Sequence, residues 1–530
     1  MEKGTIMITK RKLLLLVAAV AAISLIAGGG IALYAQSRIG DNITRQLMLF
    51  NEAFNRVMRF YVTAPDPQKL IYGAIKGMVG TLDPHSQFMD PAAMRDLKTS
   101  TKGSFGGIGI QIGIRDEVLT VIAPMVGTPA AKLGLMAGDR IVRIDGKSTK
   151  GITTEEAVSK LRGEPGTEVS ITIEREGVPE LMDFTITRAL IEIPSITYYG
   201  MLDSKVGYIW LTNFSEKSGP DLGQALKDLE SQGMRKLILD LRNNPGGLLN
   251  EAVEVSSYFL NKGSLVVFTK GRLAENTDRE YKVTTNPAFG PDKGPMVVLI
   301  NQGSASASEI VSGSLQDWDR ALIVGQTSFG KGSVQTVWPL SDSVAIKLTT
   351  AKYYTPSGRC IHRDNSAWQS GDLDSLTEDS TQARETYTTV GGLKRVVYGG
   401  GGIAPDLKVE LPRLNKVQTD LERRTLFFKF AVKYTVGRND LPESFVVDRA
   451  MVDDFRKFLA EEKFEISDAD FQANLDYIKR AIKREILSKL HGDRAMYRFN
   501  LQSDPQVQRA LELLQKNNNL VSLLKAAGGK

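Results

Sequence analysis

Cysteine and histidine are scarce in this chain of 530 residues, which holds one cysteine and three histidines. The single cysteine, Cys360, excludes an intrachain disulfide and any metal site built from several cysteines. Three histidines, His85, His362 and His491, argue against a zinc site made mainly of imidazoles.

The chain carries only a slight excess of positive charge, with a formal net charge of +6. Acidic and basic residues are interspersed, and no basic block occurs beyond the N-terminus, so we expect no nucleic-acid partner. The length is too great for one hydrophobic core and predicts three or four domains.

One long uncharged run lies near the N-terminus, at residues 13–35, and follows Lys10, Arg11 and Lys12. It is long enough to span a bilayer, and the basic residues of 1–12 should stay in the cytoplasm. A cleaved signal peptide is the alternative. In either case, residues 40–530 are expected to lie outside the cytoplasm.

Hydrophobic periodicity changes several times along the remaining sequence. Strand-like and helix-like patterns alternate in one long region, which is typical of an α/β domain with a covered sheet. The predicted regions are a helical region at 40–98, a β-rich module at 99–190, an α/β region at 191–412 with a polar insertion at 364–389, and a helical extension at 413–530.

Residues 325–340 read GQTSFGKGSVQTVWPL, close to a phosphate-binding loop. Such a loop needs Ser or Thr after the lysine, followed by a helix whose N-terminus faces the phosphates. Here Gly332 follows Lys331, and the residues beyond are rich in Val, Thr and Tyr, which favours a strand. A nucleotide site is therefore rejected.

A second stretch, at residues 296–311, runs from a buried strand through NQGSASAS into a helix. A serine at this turn would be exposed near the positive end of a helix, where N–H groups stabilise an oxyanion. It could equally be an ordinary helix N-cap.

A nucleophilic serine needs a base. None of the three histidines lies within the α/β core, whereas Lys331 does. Lowering its pKa from about 10.4 to about 7.5 disfavours the charged form by roughly 4 kcal/mol, and no acid lies between residues 325 and 340. In a strand, Ser333 and Gln335 would share a face with Lys331, so Gln335 could orient the amine. An exposed loop lysine is the alternative.

A third stretch, DLRNNPGG, places Pro245, Gly246 and Gly247 between a buried strand and a helix. Glycines at such a turn free backbone N–H groups for a ligand. The turn could supply an oxyanion donor, or it could be an ordinary tight turn.

These stretches together resemble the C-terminal processing peptidases, also called tail-specific proteases. The resemblance covers about residues 42–412 and rests on LDPHS, DLRNNPGG, NQGSASASEI, FGKGSVQ and YYTPSGR. It implies a multidomain α+β protein whose crotonase-like α/β peptidase core carries the β-rich module as an insertion. It also implies a serine–lysine dyad that requires neither a metal nor a cofactor. The family's spacing selects Ser306 as nucleophile, with Lys331 as base and Gln335 as its partner, and it assigns oxyanion donors to Gly246, Gly247 and Ala307.

The β-rich module resembles a PDZ domain, most clearly in GTPAAKLGLMAGDRIVRIDG. Its carboxylate-binding loop would be FGGIGIQIG, and an added strand from the substrate would supply main-chain hydrogen bonds. Arg162 would link the module to the peptidase, although a solvated arginine is nearly as good an interpretation. The predicted peptide-binding residues are Phe105, Gly107, Ile108, Gly109, Ile110, Ala157, Val158 and Leu161.

The resemblance implies an exported serine endopeptidase that recognises apolar C-terminal tails of proteins and cleaves at or from them. The competing hypothesis is a catalytically silent PDZ scaffold that only binds such tails. A homodimer through the helical regions and an adaptor or activator protein are further expected partners.

Overall fold

The computed structural model describes residues 42–363, 385–438 and 440–528. The predicted membrane anchor at 13–35 and residues 364–384 of the predicted insertion lie outside this range. Within these ranges, the structure contains no helix both long and apolar enough to cross a bilayer. The chain forms two compact units, Met1–Phe88 and Met89–Lys530.

The first unit contains two helices, α1 (42–60) and α2 (Pro67–Gly80). Asp66 caps α2, because its carboxylate accepts from the N–H groups of Gln68 and Lys69, and Pro67 takes the first helical position. A short strand, β1 (Gln87–Met89), lies within the predicted helical region at 40–98.

The β-rich module follows α3 (Pro91–Lys102). Its strands form an antiparallel sheet in the order β3-β4-β5-β7-β8, with β6 paired to β5, while β2 and β9 pair with each other. The elements are β2 (Ser104–Gly107), β3 (Ile110–Arg115), β4 (Val118–Pro124), α4 (Pro129–Lys132), β5 (Arg140–Ile144), β6 (Lys147–Ser148), α5 (Thr154–Leu161), β7 (Glu168–Glu174), β8 (Met182–Thr187) and β9 (Ala189–Glu192).

A six-stranded sheet forms the centre of the α/β region, in the order β10-β11-β12-β15-β16-β21. Strand β10 is antiparallel to β11, and the other neighbours are parallel. Three helices cover one face and form the largest hydrophobic core. The elements up to the third helix are β10 (Ile196–Met201), β11 (Val206–Leu211), α6 (Ser218–Ser231), β12 (Lys236–Asp240), α7 (Leu249–Ser257), β13 (Leu265–Gly271), α8 (Ala274–Thr277), β14 (Arg279–Lys282), β15 (Met296–Ile300) and α9 (Ala307–Asp317).

A second, antiparallel sheet lies beside it, in which β18 pairs with β17 and with β13, and β13 pairs with β14. Part of the predicted polar insertion is in fact ordered structure, because β19 lies inside it and pairs with β20. The elements are β16 (Leu322–Gly325), β17 (Ser333–Pro339), β18 (Ala345–Tyr354), β19 (Thr386–Thr388), β20 (Val396–Tyr398) and β21 (Leu407–Lys408).

The C-terminal region is helical as predicted, but its helices enter two different cores. Those from α10 to α14 build a separate core rich in Phe. The last two instead pack on the second face of the central sheet, so the sheet is covered on both sides. The helices are α10 (Lys416–Arg423), α11 (Leu426–Tyr434), α12 (Arg449–Glu461), α13 (Asp468–Ala473), α14 (Leu475–His491), α15 (Asp493–Leu501), α16 (Pro505–Lys516) and α17 (Leu520–Ala526).

The β-rich module contacts the C-terminal helices beside a cleft of about 660 Å³. Lys489 of α14 donates to the carbonyl of Ala137 at 2.7 Å, and burial lowers the pKa of its amine. A Cβ on Gly138 would lie 2.7 Å from the methyl groups of Val432 in α11, so this side chain packs directly on the Gly138 backbone. The helical region thus contacts the module through an apolar side chain as well as through the Lys489 hydrogen bond.

Candidate active site

Ser306 stands at the turn between β15 and α9 and occupies the N-cap position of that helix. Its backbone has φ 54° and ψ −113°, in a region that residues other than glycine rarely adopt. Such strain persists only where the surroundings impose it, and it is concentrated at functional sites. The turn therefore displays the Ser306 side chain at the head of a helix.

Glu309, three residues beyond Ser306, joins the serine turn to the lysine loop. Its Oε2 accepts from the N–H of Ser306 at 2.8 Å and from the N–H of Lys331 at 2.9 Å. Its Oε1 accepts from the N–H of Gly330 at 2.7 Å and from the hydroxyl of Ser328 at 2.5 Å. One carboxylate thus fixes both segments that carry predicted catalytic residues.

The Glu309 carboxylate is fully buried. Burial raises its pKa, while the hydrogen bonds from Ser328, Gly330, Ser306 and Lys331 act in the opposite direction. A carboxylate offers about four lone-pair sites, and these four donors occupy them. Residues 325–340 themselves contain no acid, but the structure adds a carboxylate from outside the loop that binds the loop backbone.

Tyr353, in β18, also reaches both segments. Its hydroxyl oxygen lies within hydrogen-bond distance of the carbonyl of Ser306, at 3.1 Å, and of the carbonyl of Lys331, so its single proton is shared between these two acceptors. Its backbone N–H donates to the carbonyl of Gly332 at 2.9 Å. Burial raises the pKa of Tyr353 well above its ordinary value, and the nearby charge of Glu309 adds to this, so the hydroxyl keeps its proton.

The glycines on either side of Lys331 allow close passage of other chain segments. A Cβ on Gly332 would lie 2.7 Å from the backbone nitrogen of His362. Gly330 has φ +93°, and a Cβ there would lie 3.0 Å from the Cβ of Arg363. Strands β17 and β18 follow where a phosphate loop would need a helix, which confirms the rejection of a nucleotide site.

Gln335 lies in β17, half-buried, on the same face as Ser333. Its side-chain amide donates to the hydroxyl of Ser333 at 3.0 Å and to that of Thr349 in β18 at 3.2 Å. A β-bulge between Val334 and Gln335 shifts the register with β18 at this point. These two hydroxyls fix the orientation of the Gln335 amide.

The Pro-Gly-Gly turn packs directly against the nucleophile turn. Gly246 has φ +95°, and a Cβ there would lie 2.8 Å from the Cβ of Ser306 and 2.8 Å from the nitrogen of Ala307. The N–H of Gly246 donates to the side-chain oxygen of Asn244 at 2.9 Å. Within the described part of the chain, the N–H groups of Gly247 and Ala307 have no recorded acceptor.

The predicted peptide groove of the β-rich module forms a small cavity of about 70 Å³ between β3 and α5. Strand β3 pairs only with β4 in its sheet, so its other edge faces this groove. Seven of the eight residues predicted to bind peptide lie there, and the eighth, Ala157, faces the core and is fully buried. The lining consists of Phe105, Gly107, Ile108, Gly109, Ile110, Ile112, Val158, Leu161 and Arg162.

Arg162 stands at the end of α5, beside the groove. Its guanidinium lies 4.6 Å from the ring centroid of Phe105 and 3.4 Å from the carboxylate of Asp96 in α3. It thus joins the groove to the helix that precedes the module, and its predicted link to the peptidase stays a prediction.

Sequence reasoning missed two residues of the site, Glu309 and Tyr353. A signal for Glu309 was available, because a serine followed three residues later by glutamate is a capping pattern. Tyr353 stands in YYTPSGR, one of the stretches behind the resemblance, but nothing local indicated its partners. Among the described residues, no group of three or more His, Cys, Asp or Glu side chains could hold a metal ion.

Four family models match the chain. They are Peptidase family S41 at residues 205–366, a PDZ domain at 120–175, the activating protease CtpB N-terminal domain at 32–93, and a probable PDZ-protease C-terminal helical domain at 465–514. The first contains the serine turn and the lysine loop, and the second lies within the β-rich module.

Curated relatives agree with these models. The carboxy-terminal-processing protease of Bartonella bacilliformis is 47% identical over 325 residues, 61% of this chain and 74% of that protein. The carboxy-terminal processing protease CtpA of Bacillus subtilis is 37% identical over 318 residues, 59% of this chain and 66% of that protein. A solved photosystem II D1 C-terminal processing protease has 31% identity, a TM-score of 0.34, and coverage of 59% and 90% of the two chains. The chain therefore belongs to the carboxy-terminal processing proteases, which are serine peptidases of family S41 that carry a PDZ domain.

Proposed function

We propose that this protein is a membrane-anchored, exported endopeptidase that cleaves proteins at or from their C-terminal tails, with Ser306 as nucleophile and Lys331 as general base. One structural observation supports the pairing of Ser306 with Lys331. Glu309 and Tyr353 each bond to the backbone of both residues, although these stand 25 positions apart in the sequence. Two independent side chains thus keep the serine turn and the lysine loop together.

In the first step, the neutral amine of Lys331 takes the proton of the Ser306 hydroxyl as Oγ attacks the scissile carbonyl carbon. The peptide C–N bond then breaks, and the Lys331 ammonium gives its proton to the departing amine. An ester between Ser306 and the substrate remains. In the second step, water loses a proton to Lys331 and attacks this ester, and Ser306 leaves with the proton restored.

The negative charge on the substrate oxygen needs donors beside Ser306. The N–H groups of Ala307 and Gly247 meet this need best, because both adjoin the nucleophile and neither has a recorded acceptor in the described residues. The N–H of Gly246 already donates to the side-chain oxygen of Asn244. We therefore propose that Gly246, which has no side chain, allows the two turns to pack closely.

Gln335 supports the base from the neighbouring strand. Its amide nitrogen is committed to Ser333 and Thr349, which directs the carbonyl oxygen of the same amide elsewhere. An amide oxygen accepts a hydrogen bond from an amine without adding a charge that would favour the ammonium form. Gln335 is thus suited to orient Lys331.

The PDZ groove would hold the end of the substrate. A tail added to the outer edge of β3 pairs with its main chain, while Val158 and Leu161 of α5 contact an apolar terminal side chain. The N–H groups of the loop at Gly107 to Gly109 would donate hydrogen bonds to the terminal carboxylate. A scaffold that binds tails without cutting them is disfavoured, since the chain belongs to a family of peptidases.

The test compares wild type with Ser306→Ala and Lys331→Ala on an unfolded protein bearing an apolar tail. Both variants should lose cleavage by at least about a thousandfold and still bind a tail peptide. Comparable cleavage by all three would eliminate the dyad. Amidation of the substrate terminus should weaken cleavage, and an unchanged rate would remove the carboxylate from recognition.

The remaining parts of the proposal concern location and partners. The uncharged run at 13–35 supports an inner-membrane anchor with the peptidase in the periplasm, which alkaline extraction of membranes and protease accessibility would check. The match at 32–93 to the N-terminal domain of an activating protease supports regulation by a partner protein. A homodimer through the helical regions remains a prediction, which sedimentation of the purified chain would test.

A further inference from the structure

We infer that the hydroxyl of Tyr353 is the positioning group that aligns the Lys331 base with the Ser306 nucleophile. The inference deepens the proposed function and rests on the Ser306–Lys331 pair. Tyr353 touches neither the substrate nor the reacting atoms in this assignment. It acts through the two backbone carbonyls that it binds.

The geometry of the hydroxyl supports this role. It reaches the carbonyls of the two proposed catalytic residues, and the backbone N–H of the same tyrosine holds Gly332, next to the base. Tyr353 therefore binds the base segment at two consecutive carbonyls, those of Lys331 and Gly332. Its hydroxyl oxygen also contacts the carbonyl of Ser306, so this one side chain sets the position of the nucleophile turn relative to the base.

The contact of Tyr353 with the Ser306 carbonyl also helps to hold Ser306 in its strained backbone conformation. A serine with φ 54° and ψ −113° relaxes unless its neighbours hold it. Its N–H is held by Glu309, and its carbonyl accepts from Glu309 N–H at 2.8 Å, from Ile310 N–H at 3.0 Å and from Tyr353. The first two donors belong to the same helix as the serine. Tyr353 adds a restraint from a different sheet, which ties the turn to the rest of the site.

The surroundings of Tyr353 restrict the movement of its side chain. Tyr353 is 1% exposed, and its strand pairs on both sides, with β17 and with β13. Tyr354, the next residue, points to the opposite face of β18, where its ring stacks on Phe268 at a centroid distance of 5.2 Å. The strand thus offers a control tyrosine one position away whose hydroxyl is not part of the site.

The experiment compares Tyr353→Phe with Tyr354→Phe in the full chain, using a peptide with an apolar C-terminus. Tyr353→Phe should lower kcat by about tenfold to a hundredfold, because small misplacements of catalytic groups have effects of that size. Its KM and its Kd for the tail should stay within about twofold of wild type, since the PDZ groove is untouched. The rate of covalent labelling of Ser306 by a fluorophosphonate should fall in parallel. Tyr354→Phe should match wild type in all four quantities.

A donor at the same place should restore the rate. 4-Aminophenylalanine at position 353 keeps a hydrogen-bond donor on the ring, and it should recover labelling to at least about a third of wild type. 4-Methylphenylalanine has a similar shape without a donor and should remain slow. If Tyr353→Phe does not fold, the comparison of the amino and methyl variants still tests the inference.

Two results would overturn the inference. One is a Tyr353→Phe enzyme with wild-type kcat and labelling, and the other is equal labelling of the amino and methyl variants. Failure of the dyad gives a different pattern, because Ser306→Ala and Lys331→Ala would then cleave as wild type does. In that event the positioning role falls with the dyad.

Discussion

The Oε2 atom of Glu309 lies 2.8 Å from the backbone nitrogen of Ser306 and 2.9 Å from that of Lys331. Two more donors, the N–H of Gly330 and the hydroxyl of Ser328, bind its other oxygen, so the carboxylate organises the backbone around the base.

Replacement of Glu309 by Gln should therefore damage the site despite the near-identical shape. The new NH₂ group would face two N–H donors, leaving buried groups unpaired at about 1–3 kcal/mol each. We expect kcat/KM to fall about a hundredfold and the free energy of unfolding to drop by about 2–4 kcal/mol. Peptide cleavage and urea denaturation measure the two effects. Glu465→Gln, at an exposed position, is the matched control, and equal behaviour of the two variants would contradict this role.

Gly246→Ala should block the active site sterically. The added methyl would meet Ala305 O at 2.7 Å and Ser306 Cβ at 2.8 Å, which forces the nucleophile turn to move. Gly263 has a similar φ, +88°, but nothing lies within 4 Å of the Cβ position, so Gly263→Ala isolates the backbone strain of about 1 kcal/mol. We expect Gly246→Ala to lose at least about a hundredfold in fluorophosphonate labelling while Gly263→Ala labels normally. Normal labelling of both would show that the two turns can separate without cost.

The PDZ groove gives a prediction about binding alone. Val158→Glu puts a carboxylate into an apolar cavity that is expected to receive an apolar tail, so the Kd of a labelled tail peptide should rise at least about tenfold. Fluorescence anisotropy measures this directly. Val126→Glu is the control, because Val126 is 97% exposed in the same module. Labelling of Ser306 should be unaffected in both variants, and a loss confined to labelling would disprove the assignment.

Lys489 provides a dependence on pH. Burial lowers the pKa of its amine below the ordinary 10.5, with the charge of Arg175 adding to this and that of Asp139 opposing it. Between the lowered pKa and 10.5 the unfolded chain binds more protons, so stability from this group rises with pH. The free energy of unfolding of wild type should therefore increase relative to Lys489→Met as the pH approaches 10.5. A difference that falls as the pH rises would refute the assigned direction.

The elements of the active site follow from local sequence, but their partners do not. The glycine and serine pattern before α9 and the strand-forming residues after Lys331 predicted the local structure correctly. Glu309 and Tyr353 could not be placed in the site in this way, because their contacts join segments 22 and 47 residues apart. Such contacts depend on how the sheets pack, which periodicity does not encode.

The C-terminal helices illustrate the same limit. Their apolar stripes predicted helices correctly, yet α16 has no pattern that distinguishes it from α14. Only the structure reveals that Val507 and Leu514 pack on the central sheet, while Ile478 and Ile482 belong to the separate helical core. The sequence of a helix shows that the helix has an apolar face, but not which part of the protein packs against that face.

The pairing of β2 with β9 has a consequence for the way such enzymes are assembled. The N–H of Ile193 donates to the carbonyl of Gly103 at 2.8 Å, so the chain leaves the PDZ domain one hydrogen bond away from where it enters. A domain inserted at such a neck can be exchanged without lengthening or shortening the remainder of the chain. A different PDZ domain grafted between residues 103 and 193 would meet the rest of the protein at this hydrogen bond and at the contact of Lys489 with Ala137.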